Sequence, residues 1–201
     1  ERTAKMENTV KKSRGLIFTG VFGAIYILVY FIIGVLCMPV PILYLIMPAL
    51  IALAEGPVYM MLLTKAPMRG SIFIVCMLPA VLLMATGHIW VIIPTCAVAG
   101  ILAEIFAGIG KYKSFKWNTI SFAFFAQNIM GGVLPIWMMR DYFFANYVAR
   151  ESGVEFSNAV QAITPIWVLP LQVVGIGICA VISSFLARKI FSKYFTKAGI
   201  V

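Results

Sequence analysis

The sequence predicts an all-α membrane protein, a single domain of six transmembrane helices with N- and C-termini cytoplasmic. Three observations carry that reading. The 201 residues are 62% hydrophobic and 11% charged, with a mean hydropathy of +1.00, where a soluble chain carries about 25% charged residues. The apolar residues gather into runs near the ~20 residues a helix needs to cross a bilayer. The basic residues gather between those runs.

In order, the predicted spans cover residues 16–36, 42–63, 71–86, 89–109, 118–139 and 164–187. None alternates with period two, and only helices or closed barrels satisfy every backbone group in hydrocarbon, so all six read as helices. The first run is longer than the apolar part of a signal peptide, about 7–15 residues, and leads into more membrane. The third is slightly short, and only a tight turn around Gly87 separates it from the fourth. Between the fifth and sixth lies the one loop of consequence, residues 140–163. Its first half, with Tyr142, Phe143, Phe144, Tyr147 and Val148, is too aromatic for a slack tether, and Ser157 is placed to cap a second short helix. The segment reads either as a lid over an outward pocket or as an interfacial connector.

All basic residues but Arg140 and Arg150 fall into four clusters: Arg2 to Arg14, Lys65 with Arg69, Lys111 to Lys116, and Arg188 to Lys197. These alternate correctly with the runs, and the positive-inside rule places them in the cytoplasm. The outward segments are then 37–41, the turn Gly87–His88, and 140–163. The net charge of +9 therefore reflects membrane topology, and no nucleic-acid partner is expected. The four cysteines, Cys37, Cys76, Cys96 and Cys179, lie apart in apolar surroundings and read as small hydrophobes.

Six spans leave no room for a tethered ATPase or catalytic head. The chain has no G-x-x-x-x-G-K-[ST], H-E-x-x-H or G-x-S-x-G motif. With one histidine and one aspartate, Asp141, neither a multi-histidine metal site nor two-aspartate proteolysis is available. No enzyme activity is expected.

Polar groups inside the spans are the candidates that remain. Gln127 and Asn128 sit mid-run in the fifth span; Asn128 shares a helical face with Phe124, Gly132 and Pro135. Thr164, Val168, Gln172 and Gly175 share a face of the sixth, with Trp167 beside it. Asn128 and Gln172 would lie at similar depth and converge in one outward cavity, with Trp90, Trp137 and Trp167 along its upper wall. The plainer alternative makes the amides interhelical glue and the tryptophans an aromatic belt. His88, on an outer turn, is a candidate metal or carboxylate ligand, or merely solvated. Met38, Met84, Met130, Met138 and Met139 suit thioether ligation or, more simply, core filling. Glu55 and Glu104 would serve a proton-coupled carrier or pair with Lys65 and Lys111. Gly20, Gly23 and Ala24 make a small-residue patch where another helix can approach closely.

Met47-Pro48-Ala49-Leu50 leading to Gly56-Pro57-Val58-Tyr59, then Gly110-Lys111-Tyr112-Lys113-Ser114, Met139-Arg140-Asp141 and the ending Lys197-Ala198-Gly199-Ile200-Val201 give the chain a family likeness. It resembles the Trep-Strep group of small bacterial integral membrane proteins, which are similar to the S components of energy-coupling factor (ECF) transporters. The resemblance implies an ECF S-component-like bundle in the bacterial cytoplasmic membrane that binds a micronutrient at its outer face. It would dock, through Gly20, Gly23 and Ala24, on a transmembrane scaffold subunit carrying two cytosolic ATPase subunits, and topple to release cargo inward. No intrinsic cofactor is implied. Some relatives are associated with haem uptake, which makes His88 a haem axial ligand and Arg140 a partner for a propionate. A vitamin-like aromatic solute is the alternative cargo, and a self-sufficient proton-coupled carrier the alternative mechanism.

Overall fold

The computed structural model describes residues 2–148 and 152–194; Arg150 and the ending 197–201 lie outside the described residues, as do the side chains of Arg2, Lys5, Lys11 and Tyr147. Among the described residues the elements are helical. They are α1 (Arg2–Cys37), α2 (Pro41–Lys65), α3 (Ser71–Ala85), α4 (Ile92–Ile109) and α5 (Phe115–Phe125). A 3₁₀ turn over Ala126–Ile129, α6 (Met130–Val133) and α7 (Pro135–Met138) continue the fifth run. Then come α8 (Arg140–Phe143) with a π turn over Phe144–Val148, α9 (Val154–Ile163) and α10 (Val168–Tyr194).

Four stretches among the described residues are long and apolar enough to span a bilayer: Lys12–Cys37, Pro41–Lys65, Ile92–Ile109 and Val168–Lys193. That revises the expectation of six comparable spans. α3 has 15 residues, about 22 Å of helix against a hydrocarbon core of about 30 Å. The fifth run is not one helix over 118–139. Gly131 backs onto α4 so closely that a Cβ there would lie 2.9 Å from Ile92 Cα. Pro135 opens α7 without an N–H to donate. Irregular backbone at membrane depth is tolerated where protein buries it, and Ala126, Asn128, Ile129 and Met130 are all buried.

Six helical segments nevertheless close a ring, in the order α1, α2, α10, α5, α4, α3 and back to α1. Their directions alternate along the chain. α2 and α10 run parallel, since Gln172 meets Leu45 at one level and Ser183 meets Leu53 and Gly56 at another. α1 and α3 are parallel too, Gly15 lying against Met68 and Gly23 against Val75.

The α2–α10 seam shows how the sequence dictates packing. Pro57 has no N–H, so the carbonyl of Leu53 lacks its helical donor. The Ser183 hydroxyl supplies it, donating to Leu53 O at 2.5 Å, and accepts from Gly56 N–H at 3.1 Å. Gly56 has to be glycine here: a Cβ would lie 2.8 Å from the Ser183 carbonyl carbon and overlap the Ser183 side chain. Deeper in, Tyr59 packs its ring 4.8 Å from both Phe122 and Phe125, and Tyr26 lies 5.2 Å from Phe125.

The basic clusters meet at one end of this ring. Lys12, Arg14 and Lys65 line one recess. Arg69 acts electrostatically on Tyr112, and Arg188 lies 4.7 Å over the Phe115 ring. Glu104 does not need Lys111: its carboxylate accepts from the Tyr112 hydroxyl at 2.6 Å and from Phe73 N–H at 3.2 Å. Burial, and then that bond to Glu104, hold the Tyr112 hydroxyl above the ordinary tyrosine range. Glu55 is not paired with Lys65 either; it is fully buried, with no hydrogen-bond partner for either oxygen.

Candidate functional site

A cavity of about 270 Å³ opens at the end of the ring opposite the basic clusters. Its floor and inner wall come from α1 and α2, through Tyr30, Gly34, Tyr44 and Met47. The α3–α4 turn brings Leu83, Thr86 and His88, and α6 brings Gly132 and Val133. Phe143, Val148, Ser152 and Phe156 complete it from the 140–163 segment. The walls are largely aromatic and aliphatic with a few polar groups, the composition of a small-molecule site.

Local geometry explains each contribution. Gly87 takes a positive φ of 85° and lets the chain reverse after α3. That turn is fastened by His88 N–H donating to Leu83 O at 2.9 Å, and His88 lines the cavity. A Cβ on Gly132 would lie 3.9 Å from His88 Nε2 and 3.7 Å from the Tyr30 hydroxyl, ordinary contact distances that place both groups over this part of α6. Tyr44 meets Phe156 edge to face at 5.9 Å, joining α2 to α9.

The described parts of the 140–163 segment, 140–148 and 152–163, are held in place by Arg140. Arg140 donates to Thr164 O at 2.8 Å, to Thr164 Oγ1 at 3.3 Å and to Gln161 O at 2.6 Å, with its guanidinium 5.3 Å over the Phe144 ring. It therefore staples α8 to the end of α9. α9 begins at Val154, after Gly153 at φ 88°. Ser157 is thus not its cap but a buried residue inside it.

Of the residues expected to converge, the structure places only His88 on this cavity. Asn128 lies at the bundle's centre. Its Oδ1 accepts from the Tyr26 hydroxyl at 2.9 Å, and its Nδ2 lies 3.5 Å from Cys76 Sγ. Gln127 donates to Val173 O at 3.0 Å, and Gln172 donates to Leu45 O. All three amides join helices, as polar side chains do between membrane helices, although Gln127 Oε1 is buried without a hydrogen-bond partner. Trp137 donates to Pro165 O at 3.2 Å. Trp90 and Trp167 are 59% and 64% exposed, outward rather than on a cavity wall. Arg140 is engaged as described. The small-residue patch divides: Gly23 is filled by α3, a Cβ there falling 2.8 Å from Leu78 Cδ1, while Gly20 and Ala24 face outward.

Sequence reasoning missed Tyr30, Gly34, Tyr44 and Met47. Tyr26, Tyr30 and Gly34 recur every four residues along one face of α1, a signal hidden because tyrosine, glycine and aliphatics all pass as span residues.

The description of one protein family, hypothetical bacterial integral membrane protein (Trep_Strep), matches residues 13–197, nearly the whole chain. No curated protein and no solved structure matches it.

Proposed function

We propose that this chain, which belongs to the Trep_Strep family of hypothetical bacterial integral membrane proteins, captures a small micronutrient in the cavity at its non-basic end. In this reading the basic end faces the cytoplasm of a bacterial cell membrane and the cavity faces outward. The chain is then the substrate-binding S component of an ECF-type importer, working with a transmembrane scaffold and two cytosolic ATPase subunits. Gly20 offers that scaffold a close approach, having no atom within 4 Å of where its Cβ would be.

The single observation that carries the reading is the cavity itself: about 270 Å³, aromatic-walled, with His88 facing in and the 140–163 segment across it. The volume lies just under the range of small-molecule pockets, about 300–1,000 Å³, and so favours a compact, vitamin-sized aromatic solute. Haem, a larger tetrapyrrole, is the second cargo, favoured by one feature: His88 shares the cavity with Met38 and Met47, nitrogen and thioether groups that both ligate haem iron. Protein purified from cells grown with haem, alongside His88→Ala, separates the two. A Soret band that shifts or vanishes in the variant supports haem. A colourless protein that also refuses added haemin removes haem, and a thermal-shift screen of aromatic vitamins then tests capture itself.

The buried, unpartnered Glu55 is what favours a self-sufficient proton-coupled carrier. Liposomes holding this chain alone decide between the mechanisms. Uptake driven by a pH gradient would support the carrier and overturn the need for partners.

A further inference from the structure

A second recess lies at the basic end, between the first turns of the Lys12–Cys37 span and the α2–α3 connection. Its volume is about 510 Å³. Three cationic side chains line it, Lys12, Arg14 and Lys65, and no described lining residue is acidic. The floor is held by close packing: Gly15 is buried against Met68, whose sulfur fills the place of a Cβ. Arg14 lies 5.7 Å from the Phe18 ring centroid, so its stem follows the helix while its charge stays at the rim.

The position matters as much as the charge. Lys12 and Arg14 stand just before the apolar run that begins at Leu16, and Lys65 closes α2, which sets the recess at the boundary between hydrocarbon and water. One helical turn further into the membrane, Leu16 and Ile17 are 52% and 66% exposed. The surface is therefore cationic at the headgroup level, with Phe18 in the recess lining and exposed Leu16 and Ile17 on the neighbouring faces of the same helical turn, matching an amphiphile with an anionic head. A soluble phosphate would use the first feature and leave the second without purpose. We propose that this recess binds the phosphate headgroup of an anionic phospholipid, with Lys12, Arg14 and Lys65 around the phosphate and the acyl chains along Leu16 and Ile17. Basic pockets between helices at a cytoplasmic face are suited to such headgroups.

The test uses the full chain in mixed micelles, with phosphatidylglycerol and phosphatidylcholine as probes and native mass spectrometry as the readout. The wild type is expected to retain phosphatidylglycerol in preference. A triple variant, Lys12→Gln, Arg14→Gln and Lys65→Gln, is expected to lose at least about tenfold in apparent affinity, each basic residue near such a surface being worth about fivefold. A control triple of equal charge, Lys111→Gln, Lys113→Gln and Lys189→Gln, is expected to stay within about twofold. Equal loss in both triples would overturn the site in favour of general surface charge. Displacement of the lipid by millimolar inorganic phosphate would reassign the recess to a soluble anion. Photo-crosslinking of wild-type protein by a headgroup-labelled phosphatidylglycerol guards against a misfolded variant: label on the peptides carrying Lys12 and Lys65 is expected, and label confined elsewhere would sink the proposal.

Discussion

At the scale of single residues, glycines and unpaired polar groups decide most of what substitution would do. Gly56 and Gly20 lie in similar apolar sequence but in opposite surroundings. A methyl group at Gly56 collides with Ser183 backbone, whereas at Gly20 it meets nothing. Gly56→Ala is therefore expected to destabilise by about 1–3 kcal/mol, the usual cost of overpacking, and Ser183→Gly not to rescue it, since it leaves the backbone contact and removes the hydroxyl that serves Leu53 O and Gly56 N–H. Gly20→Ala should be neutral or slightly stabilising by helix propensity. Thermal unfolding in one detergent, with the double variant included, checks both. Glu55 carries the opposite liability, a buried carboxyl with neither oxygen bonded. Glu55→Met conserves length and is expected to stabilise by about 1–3 kcal/mol, the cost of an unsatisfied buried polar group. A loss of stability instead would show that the carboxyl has a bound partner in the membrane.

Between residues and the whole stand the elements, and the most informative is the 140–163 segment. Its helices touch the cavity through Phe143 and Phe156, yet their attachment rests heavily on Arg140. A cation donating to two carbonyls and a hydroxyl contributes more than a neutral hydrogen bond, about 1.5–3 kcal/mol. Arg140→Ala should loosen α9 by that amount while the rest of the ring holds. Hydrogen exchange checks this: protection should fall across 154–163 and persist in α2. Uniform loss throughout the chain would mean that the segment is integral to the bundle rather than a separable cover. The broken fifth run behaves differently. Gly131→Ala would press on Ile92 Cα and is expected to destabilise α4 and the 126–133 turn together, seen as coupled exchange in both.

For the molecule as a whole, the arrangement of charge and direction makes a topological prediction. Six segments alternate in direction along the chain, and the described basic clusters gather at one end. Single cysteines in a background lacking Cys37, Cys76, Cys96 and Cys179 test which side that end faces. Lys113→Cys and Lys189→Cys should react with impermeant maleimide only after the cells are opened, and Ser152→Cys in intact cells. The reverse pattern would place the cavity in the cytoplasm and remove the capture role.

Much of this was legible in the sequence, for a physical reason. Lipid is a uniform solvent, so composition, run length and the placement of lysine and arginine report directly on it. Helical class, membrane residence and the gathering of charge at one end all follow from those averages. Short motifs such as Gly56-Pro57-Val58-Tyr59 carried the family likeness, and His88 was legible as a residue of the turn between the third and fourth runs. The outcome of competition between specific neighbours was not legible. Asn128, Gln127 and Gln172 had to choose between a ligand and a group on another helix, and the packed structure supplied a tyrosine hydroxyl and a thiol to the first and carbonyls to the other two. Trp90 and Trp167 were equally at home on a wall or at an interface. Gly131 and Pro135 broke a run whose hydropathy looked continuous, because α4 came too close for a regular helix. In a membrane the sequence by itself determines which residues leave water; only tertiary contact decides which of their polar groups remain available.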